Sequence, residues 1–310
     1  MSPPTMNGKI CLITGGTNGI GKVTAVELAR HGASVRIIGR SKLRCQETVD
    51  AIRKQTGNPD VDFLTADLSS QMEVRRVAKE FLERHQSLHL LINNAGAMFA
   101  RRQVSTDGIE MTLALNHMAY FLLTNLLLDI MKRSAPARII NVSSRAHEDV
   151  SAFDFQDPQV ETGKSGRHYG TTELGSLFYT LVKPWAHPGF MQYCQSKLAN
   201  LLFTFELARK LKGTGVTANA LHPGFVSTGF SVGNGSYGAF MRLWAKLFGI
   251  SAVQGAQTTI YLATAPEMEA VTGKYFAKQK EVKPSAAALN QEGAQKLWEL
   301  STQWAERSVL

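Results

Sequence analysis

Hydrophobic positions along the chain fall into short apolar runs, separated by longer segments in which apolar residues recur every three or four positions. Each short run has the length of a strand that is buried on both faces, and the longer segments are typical of amphipathic helices. The predicted strands are Lys9–Thr14, Ser34–Ile38, Val61–Thr65, Leu88–Ile92, Arg138–Val142, Val216–Leu221 and Lys274–Ala277. The predicted helices are Gly21–His31, Lys42–Gln55, Gln71–His85, Gly108–Lys132, Tyr193–Lys212 and Ala252–Leu262.

The regular alternation of strands and helices predicts one α/β domain over residues 1–310. Parallel strands joined by right-handed helical crossovers build a doubly wound sheet. We therefore expect a Rossmann fold, with a seven-stranded parallel sheet and helices on both faces. Two stretches, at about 150–192 and 228–251, interrupt the alternation. Loops of this length inside a compact domain are usually functional or disordered, so we interpret both as substrate-binding insertions.

Composition and charge narrow the class of protein. With 310 residues, 44% hydrophobic and 19% charged, the chain can form a large core. The net charge of +9 is compatible with an anionic partner. The basic residues form no run of five or more, so we expect no nucleic-acid partner. A phosphorylated cofactor remains compatible with this charge.

The cysteines and the first residues of the chain are used to predict the cellular compartment. Cys11, Cys45 and Cys194 form no CxxC pair, which argues against a disulfide framework or a zinc site. No other ligand spacing suggests a metal, and the first residues match neither a signal peptide nor a membrane span. We expect a cytoplasmic protein. The basic amphipathic stretch Tyr237–Ile250 suits a substrate-binding helix, a core helix or a contact with a membrane surface.

The stretch TGGTNGIG joins the first predicted strand to the first helix. Its glycines allow φ > 0 and let the backbone approach a pyrophosphate, while the helix N-terminus supplies unpaired N–H groups and a positive dipole. The stretch therefore predicts a dinucleotide site. The residues that we expect to hold the cofactor here are Gly15, Thr17, Asn18, Gly19, Ile20 and Gly21.

The end of the second predicted strand distinguishes between the two nicotinamide cofactors. An acidic residue at this place would bind the ribose 2′-hydroxyl of NAD, whereas here Gly39 is followed by Arg40. A guanidinium forms charge-assisted hydrogen bonds with a 2′-phosphate. The sequence therefore favours NADP(H).

Tyr193 and Lys197 are four positions apart, which places both side chains on one face of a helix. A phenol with an ordinary pKa near 10 transfers protons poorly at neutral pH. A neighbouring ammonium and a positively charged nicotinamide stabilise its phenolate. Tyr193 could then act as the general acid in reduction and the general base in oxidation. Taken alone, the pair would also suit an ordinary exposed helix face.

The motifs together resemble the short-chain dehydrogenase/reductase family. They occur in the family's order and span residues 9–230. Within the family, the chain is similar to the retinol dehydrogenases and the X-linked dehydrogenase/reductase. The motifs are TGGTNGIG, ADLS with Asp67, Asn93-Asn94-Ala95-Gly96, Asn116, NVSS ending at Ser144, Tyr193-Cys194-Gln195-Ser196-Lys197, and Pro223-Gly224 with Thr228.

The resemblance implies a role for each catalytic residue. Tyr193 is the proton shuttle, Lys197 also binds the nicotinamide ribose, Ser144 bonds the substrate oxygen and Asn116 holds a water that links Lys197 to solvent. Ser143 remains an alternative to Ser144. The further cofactor contacts that the resemblance implies are Asp67, Leu68, Asn94, Ala95, Gly96, Tyr193, Lys197, Pro223, Gly224, Val226 and Thr228.

The resemblance also implies a substrate class. It predicts interconversion of a lipophilic alcohol and its aldehyde or ketone, of retinoid, steroid or polyprenol type, by a homo-oligomer. The connection from Ser144 to Tyr193 is longer than in typical members and contains the apolar segment Gly163–Pro188, which is either a lid or a subunit contact. A reductase of a large flat substrate, resembling protochlorophyllide reductase, is one alternative. A non-catalytic NADP(H)-sensing interaction protein is another, and a sugar-nucleotide epimerase is disfavoured by the NNAG and NVSS motifs.

Three residues near these motifs receive ordinary structural interpretations. His147 and His222 are interpreted as structural or surface histidines. Cys194 lies a helical step of about 100° from Tyr193, so we expect it to pack in the core.

Overall fold

The computed structural model describes residues 5–161, 188–226 and 249–307. In these residues one sheet has the strand order β3-β2-β1-β4-β5-β6-β7-β8. The strands are β1 (Ile10–Thr14), β2 (Ser34–Gly39), β3 (Val61–Thr65), β4 (Leu90–Asn93), β5 (Ala137–Val142), β6 (Val216–His222), β7 (Tyr275–Ala277) and β8 (Lys280–Glu281). The helices are α1 (Gly19–Arg30), α2 (Lys42–Thr56), α3 (Gln71–Arg84), α4 (Met111–Arg133), α5 (Pro188–Lys210), α6 (Ala252–Thr264) and α7 (Gln291–Arg307).

The predicted Rossmann architecture is confirmed. The chain runs outward from β1 to β3, returns to the other side of β1 at β4, and continues to β7, with every neighbouring pair in this part parallel. Helices α3, α4, α5 and α7 bury one face of the sheet, and α1, α2 and α6 bury the other. The strand order reverses between β1 and β4. In doubly wound sheets, ligands bind beyond the carboxyl ends of the strands at this reversal.

The expectation of a purely parallel, seven-stranded sheet is wrong at one edge. Strand β8 pairs antiparallel with β7, with Ala277 opposite Lys280. The connecting residues Lys278 and Gln279 have φ values of 50° and 61°, as in the two-residue turns that match strand twist in hairpins. The two residues of β8 are exposed and charged. They therefore leave no hydrophobic pattern from which a strand could be predicted.

Helix α7 was not predicted. Its buried positions Ala294, Leu297, Ser301 and Trp304 recur at helical spacing, so the pattern was present in the sequence. The half-buried indole of Trp298 stacks on Phe203 of α5, with ring centroids 5.8 Å apart. It also contacts the ring of Phe121 of α4 edge-on, at 5.1 Å. Helix α7 thus covers part of the face formed by α4 and α5.

Helix α4 begins three residues after the predicted Gly108 and contains a π-helical turn at Ala114–Met118. In this turn the N–H of Ala119 bonds to the carbonyl of Ala114, five residues earlier. Such turns are frequent at functional sites. By length and composition, Met111–Arg133 could also span a membrane, but 72% of its most apolar window is buried inside the fold. This burial is typical of a core helix.

Candidate active site

The glycine turn after β1 lies at the carboxyl edge of the sheet, where the strand order reverses. Gly15 has φ +67°, a conformation that favours glycine. A Cβ on Gly21 would collide with the Gly15 carbonyl oxygen and lie 2.6 Å from Nδ2 of Asn94. The turn is therefore packed so closely that side chains are excluded from it. Its backbone stays open to approach by a ligand.

The start of α1 is suited to an anion. The side chain of Asn18 caps the helix by accepting a 2.7 Å hydrogen bond from the N–H of Gly19. The other first-turn N–H groups, including those of Ile20 and Gly21, have no acceptor within the helix, and the helix dipole is positive at this end. The residues present fit the pyrophosphate of a dinucleotide.

Asn94 stabilises the glycine turn itself. Its Nδ2 donates to the carbonyl of Thr14 at 2.9 Å and to that of Gly15 at 3.3 Å. In return, Oγ1 of Thr14 accepts from the N–H groups of Asn94 and Ala95, at 2.8 and 2.9 Å. The loop after β4 and the turn after β1 are therefore one hydrogen-bonded unit. Any cofactor contact by Asn94 or Ala95 depends on this unit.

Arg40 is exposed at the tip of β2 and forms no ion pair with another described residue. The preceding Gly39 is tightly enclosed. A Cβ there would lie 2.7 Å from Sγ of Cys45 and 2.8 Å from Cγ2 of Thr17. The Thr17 side chain thus lies beside the strand tip, next to the residue that precedes Arg40.

The two residues predicted after β3 have different surroundings. Oδ1 of Asp67 accepts from the N–H and the hydroxyl of Ser69, at 3.0 and 2.7 Å, and so shapes a local turn. Ser70, and not Asp67, caps α3. Leu68 is 5% exposed and belongs to the core. The contact of this pair with the cofactor stays a prediction.

Lys197 is buried on α5 beneath Tyr193. Its Nζ donates a 3.0 Å hydrogen bond to the carbonyl of Val142 and lies 5.6 Å from the centroid of the Tyr193 ring. Among the described residues, no carboxylate forms an ion pair with it. Burial lowers the pKa of Lys197 to about 7. The side chain can therefore exchange a proton near neutral pH.

Tyr193 and Ser144 meet at the carboxyl end of β5. Burial raises the pKa of the Tyr193 phenol, and its hydrogen bond with the Ser144 side chain lowers it in part. Ser144 is half-buried, and its Oγ also accepts from the N–H of Ala146 at 3.2 Å. Ser143 is 2% exposed, and its Oγ donates to the carbonyl of Lys197 at 2.8 Å. Of the two serines, Ser144 is therefore the one that is placed beside the phenol.

Asn116 lies in the π-helical turn of α4 and is fully buried. Its Oδ1 accepts from the N–H of Ala97 at 2.9 Å. Its Nδ2 donates to the Ala97 carbonyl and to Oγ of Ser196, both at 3.0 Å. Ser196 in turn donates to the carbonyl of Tyr193 at 2.7 Å. Asn116 thus joins the loop after β4 to the helix that carries Tyr193, and the water that it was expected to hold stays a prediction.

The geometry adds a role for two further residues of the site. Ser196, which the sequence analysis did not single out, links Asn116 to the backbone of Tyr193. Gly96 was predicted as a cofactor contact. A Cβ there would lie 3.1 Å from Oδ1 of Asn116 and 3.6 Å from Nζ of Lys197. Gly96 therefore leaves the space in which these two groups converge.

The loop after β6 also lies at the carboxyl edge of the sheet. Gly224 follows Pro223 with φ +95°, and a Cβ there would lie 2.6 Å from Cδ1 of Ile250. Val226 pairs with Ile250 in an isolated bridge. Thr228 lies outside the described residues. The segment Gly163–Pro188, predicted as a lid or a subunit contact, also lies outside the described residues, except for Pro188 at the start of α5. The same is true of most of Tyr237–Ile250.

Comparisons with known proteins agree with this geometry. Residues 9–153 match the family model for short chain dehydrogenases. Retinol dehydrogenase 12 of Mus musculus is 41% identical over 294 residues, covering 95% of this chain and 85% of the relative. Retinol dehydrogenase 13 of Homo sapiens is 39% identical over 302 residues, covering 96% of this chain and 84% of the relative.

Solved structures share the fold. The crystal structure of an uncharacterized protein from Mycobacterium Paratuberculosis is 28% identical, with a TM-score of 0.72 and coverage of 98% of this chain and 96% of that one. An NADP complex of RhlG from Pseudomonas aeruginosa is 24% identical, with a TM-score of 0.64 and coverage of 93% and 100%. Together with the relatives of about 40% identity, these findings identify the chain as an oxidoreductase that belongs to the short-chain dehydrogenase/reductase family, whose members bind a nicotinamide cofactor.

Proposed function

We propose that the chain is an NADP(H)-dependent oxidoreductase that interconverts a lipophilic alcohol and its aldehyde or ketone. One observation carries the proposal. The side chain of Ser144 lies close enough to the Tyr193 phenol, at the carboxyl edge of the sheet, to lower its pKa, and the buried Nζ of Lys197 lies 5.6 Å from the centroid of the same ring. A phenol so placed has both a hydroxyl partner and a nearby cation. These are the groups that a proton shuttle requires.

In the proposed reaction, a bound nicotinamide supplies the hydride in reduction and accepts it in oxidation. Tyr193 gives a proton to the carbonyl oxygen in reduction and takes one from the hydroxyl in oxidation. The Lys197 ammonium favours the phenolate form of Tyr193 because its positive charge stabilises the negative charge of the phenolate. Ser144 donates a hydrogen bond to the substrate oxygen. Asn116 holds the part of α5 around Ser196 in place and, by resemblance to the family, binds a water that connects Lys197 with solvent.

The cofactor assignment depends on Arg40. Its exposed guanidinium, unpaired among the described residues, can form charge-assisted hydrogen bonds with a 2′-phosphate. The backbone from Gly15 to Gly21 would hold the pyrophosphate, and Asp67 and Leu68 would face the adenine. The nicotinamide half would contact residues of three further segments. These are Asn94, Ala95 and Gly96; Tyr193 and Lys197; and Pro223, Gly224, Val226 and Thr228.

The substrate class rests on the relatives, which are named retinol dehydrogenases. We propose that the substrate of this chain is retinoid-, steroid- or polyprenol-like. We also propose that the enzyme acts in the cytoplasm. Contact with a membrane surface through residues 237–250 and assembly as a homo-oligomer are part of the same proposal. By resemblance to the family, such an oligomer would pair through α4 and α5, and in the described part α7 covers some of the face of these two helices. Gel filtration with light scattering measures the oligomeric state directly.

A substrate panel tests the function. NADPH consumption, followed by its absorbance, is compared for retinal, a steroid ketone, a long-chain aldehyde, a short-chain aldehyde and a sugar nucleotide. We expect turnover with the lipophilic carbonyl compounds and none with the sugar nucleotide. NADPH binding without turnover of any carbonyl compound would contradict the proposal and favour a cofactor-sensing protein.

A further inference from the structure

The peptide bond that follows Ser144 is held at both ends by histidine side chains. The carbonyl oxygen of Ser144 accepts a 2.7 Å hydrogen bond from Nδ1 of His147. The N–H of Arg145, which belongs to the same peptide bond, donates to Nδ1 of His222 at 3.2 Å. One histidine follows Ser144 closely in the chain, whereas the other lies at the end of β6. The two side chains hold this single peptide plane together with the backbone N–H of His147, which donates to the Ser144 carbonyl at 3.2 Å.

The hydrogen bonds define the tautomer of each ring. Nε2 of His147 accepts from the backbone N–H of Ser285 at 3.2 Å, so the proton of the neutral ring is on Nδ1, where it is donated to Ser144. Nδ1 of His222 is an acceptor, so its proton is on Nε2. Protonation of either ring would turn an acceptor into a donor that faces an N–H group. Both rings must therefore be neutral in this arrangement.

The surroundings keep the rings in place. His147 is fully buried, and its ring meets that of Tyr275 edge-on with centroids 5.2 Å apart. Its bond to Ser285 ties the peptide to the chain segment after β8. The peptide plane sets the last backbone torsion of Ser144. The direction of the Ser144 hydroxyl toward Tyr193 depends on that torsion.

We propose that His147 and His222 are positioning residues, which clamp the Ser144–Arg145 peptide and thereby hold the Ser144 hydroxyl against Tyr193. The inference rests on the proposed function, because it concerns the reaction that Ser144 and Tyr193 serve. Neither ring touches the reacting atoms in this role. Their contribution is to the alignment of Ser144.

Charged groups around the clamp favour the neutral rings. His222 is faced by Arg145, His147 and Lys197, and burial together with these groups lowers its pKa to about 4. Burial and Arg145 also lower the pKa of His147, while its bond to the Ser144 carbonyl and the charge of Glu148 oppose this shift. The clamp is therefore intact at neutral pH. It should open only in acid.

Paired substitutions separate the hydrogen bonds from the packing. In His222→Asn, the amide oxygen can replace Nδ1 as the acceptor, whereas His222→Leu offers none. In His147→Asn, the amide N–H can replace the Nδ1 donor, whereas His147→Phe keeps only a ring against Tyr275. His89 provides a matched control, because its Nδ1 accepts from the N–H of Ile10 at 3.0 Å at the opposite edge of the sheet. His89→Leu removes a bond of the same kind far from Ser144.

The readouts are kcat and its pH profile for oxidation at saturating cofactor. We expect His222→Leu and His147→Phe to lower kcat by about 10- to 100-fold, in the range that misplacement of a catalytic group costs. Because the Ser144 bond lowers the pKa of Tyr193, both variants should also move the profile to higher pH. The two Asn variants should restore most of kcat and the original profile. Unchanged kcat and profile in the Leu and Phe variants, or the same changes in His89→Leu, would overturn the proposal.

Imidazole ¹⁵N shifts test the clamp without turnover. In the wild-type chain at pH 7, we expect a neutral Nδ1–H ring for His147 and a neutral Nε2–H ring for His222. Charged rings or the opposite tautomers would overturn the clamp. A wild-type chain with the expected tautomers but no activity on any carbonyl compound would instead count against the proposed function and leave the clamp established.

Discussion

Nζ of Lys197 donates a 3.0 Å hydrogen bond to the carbonyl of Val142, the last residue of β5. Ser144 follows two residues later, and Ser143 between them donates to the Lys197 carbonyl at 2.8 Å. The strand that carries the serine and the helix that carries the lysine are therefore joined in both directions. The relative placement of Ser144, Tyr193 and Lys197 depends on this junction.

Replacement of Tyr193 by Phe should separate binding from chemistry. The ring and its packing remain while the hydroxyl is lost, so we expect a fall in kcat of at least about 10²-fold, the range for general acid–base catalysis. Affinity for NADPH, measured by fluorescence titration, should change little. Tyr261→Phe, on the outer helix α6, is the control and should keep full activity. Full turnover by Tyr193→Phe would show that another group supplies the proton.

Replacement of Lys197 by Met should abolish turnover and change how stability depends on pH. Burial lowers the pKa of Lys197 from 10.5 to about 7, so between these values the unfolded chain binds more protons than the folded one. The free energy of unfolding of the wild type should therefore rise with pH across this window, relative to Lys197→Met. Urea unfolding of the cofactor-free chains from pH 7 to 10 measures the difference.

The variant Lys79→Met is the control for this experiment, because Lys79 is an exposed residue of α3. Its stability should follow that of the wild type at every pH. A constant offset between the wild type and Lys197→Met would mean that Lys197 titrates at its ordinary pKa in the folded chain.

Arg40→Ala should lower kcat/KM for NADPH by about 10- to 100-fold, as expected for the loss of hydrogen bonds to a charged group worth about 1.5–3 kcal/mol. The value for NADH should stay nearly the same, because NADH has no 2′-phosphate. Gly39→Asp is a poor test of cofactor choice, since its Cβ would lie 2.7 Å from Sγ of Cys45. Arg44→Ala, on the exposed side of α2, is the matched control. Equal losses for both cofactors would contradict the role of Arg40.

Asn94→Ala should weaken cofactor binding through the glycine turn. The variant leaves the Thr14 and Gly15 carbonyls without the bonds that Nδ2 supplies. We expect a higher Kd for NADPH, with kcat at saturating cofactor largely retained, as for a group that contributes to binding alone. Isothermal titration and steady-state kinetics check the two quantities. A fall in kcat with an unchanged Kd would assign Asn94 to the chemical step.

Local patterns in the sequence were sufficient to predict the alternation of strands and helices, the glycine turn and the Tyr193/Lys197 pair, because each depends on neighbouring residues. The histidine clamp could not be predicted in this way. It requires β5 to pair with β6 in the register that places Val142 opposite Leu221, which brings His222 beside Arg145. It also requires the segment at Ser285 to return to His147. Nonlocal contacts of this kind leave no signal in hydrophobic periodicity, so the two histidines were interpreted only as structural or surface residues.

Hydride transfer itself tests the central claim most directly. NADPH that carries deuterium at C4 of the nicotinamide, on either face, is incubated with retinal and the wild-type chain, and the alcohol product is analysed by mass spectrometry. The proposed function predicts deuterium on the carbinol carbon with one of the two labelled cofactors, and at least about 10²-fold slower formation of the alcohol with Tyr193→Phe at matched protein concentration. Retinal and other lipophilic carbonyl compounds that remain unreduced and unlabelled, although NADPH binds, would contradict it.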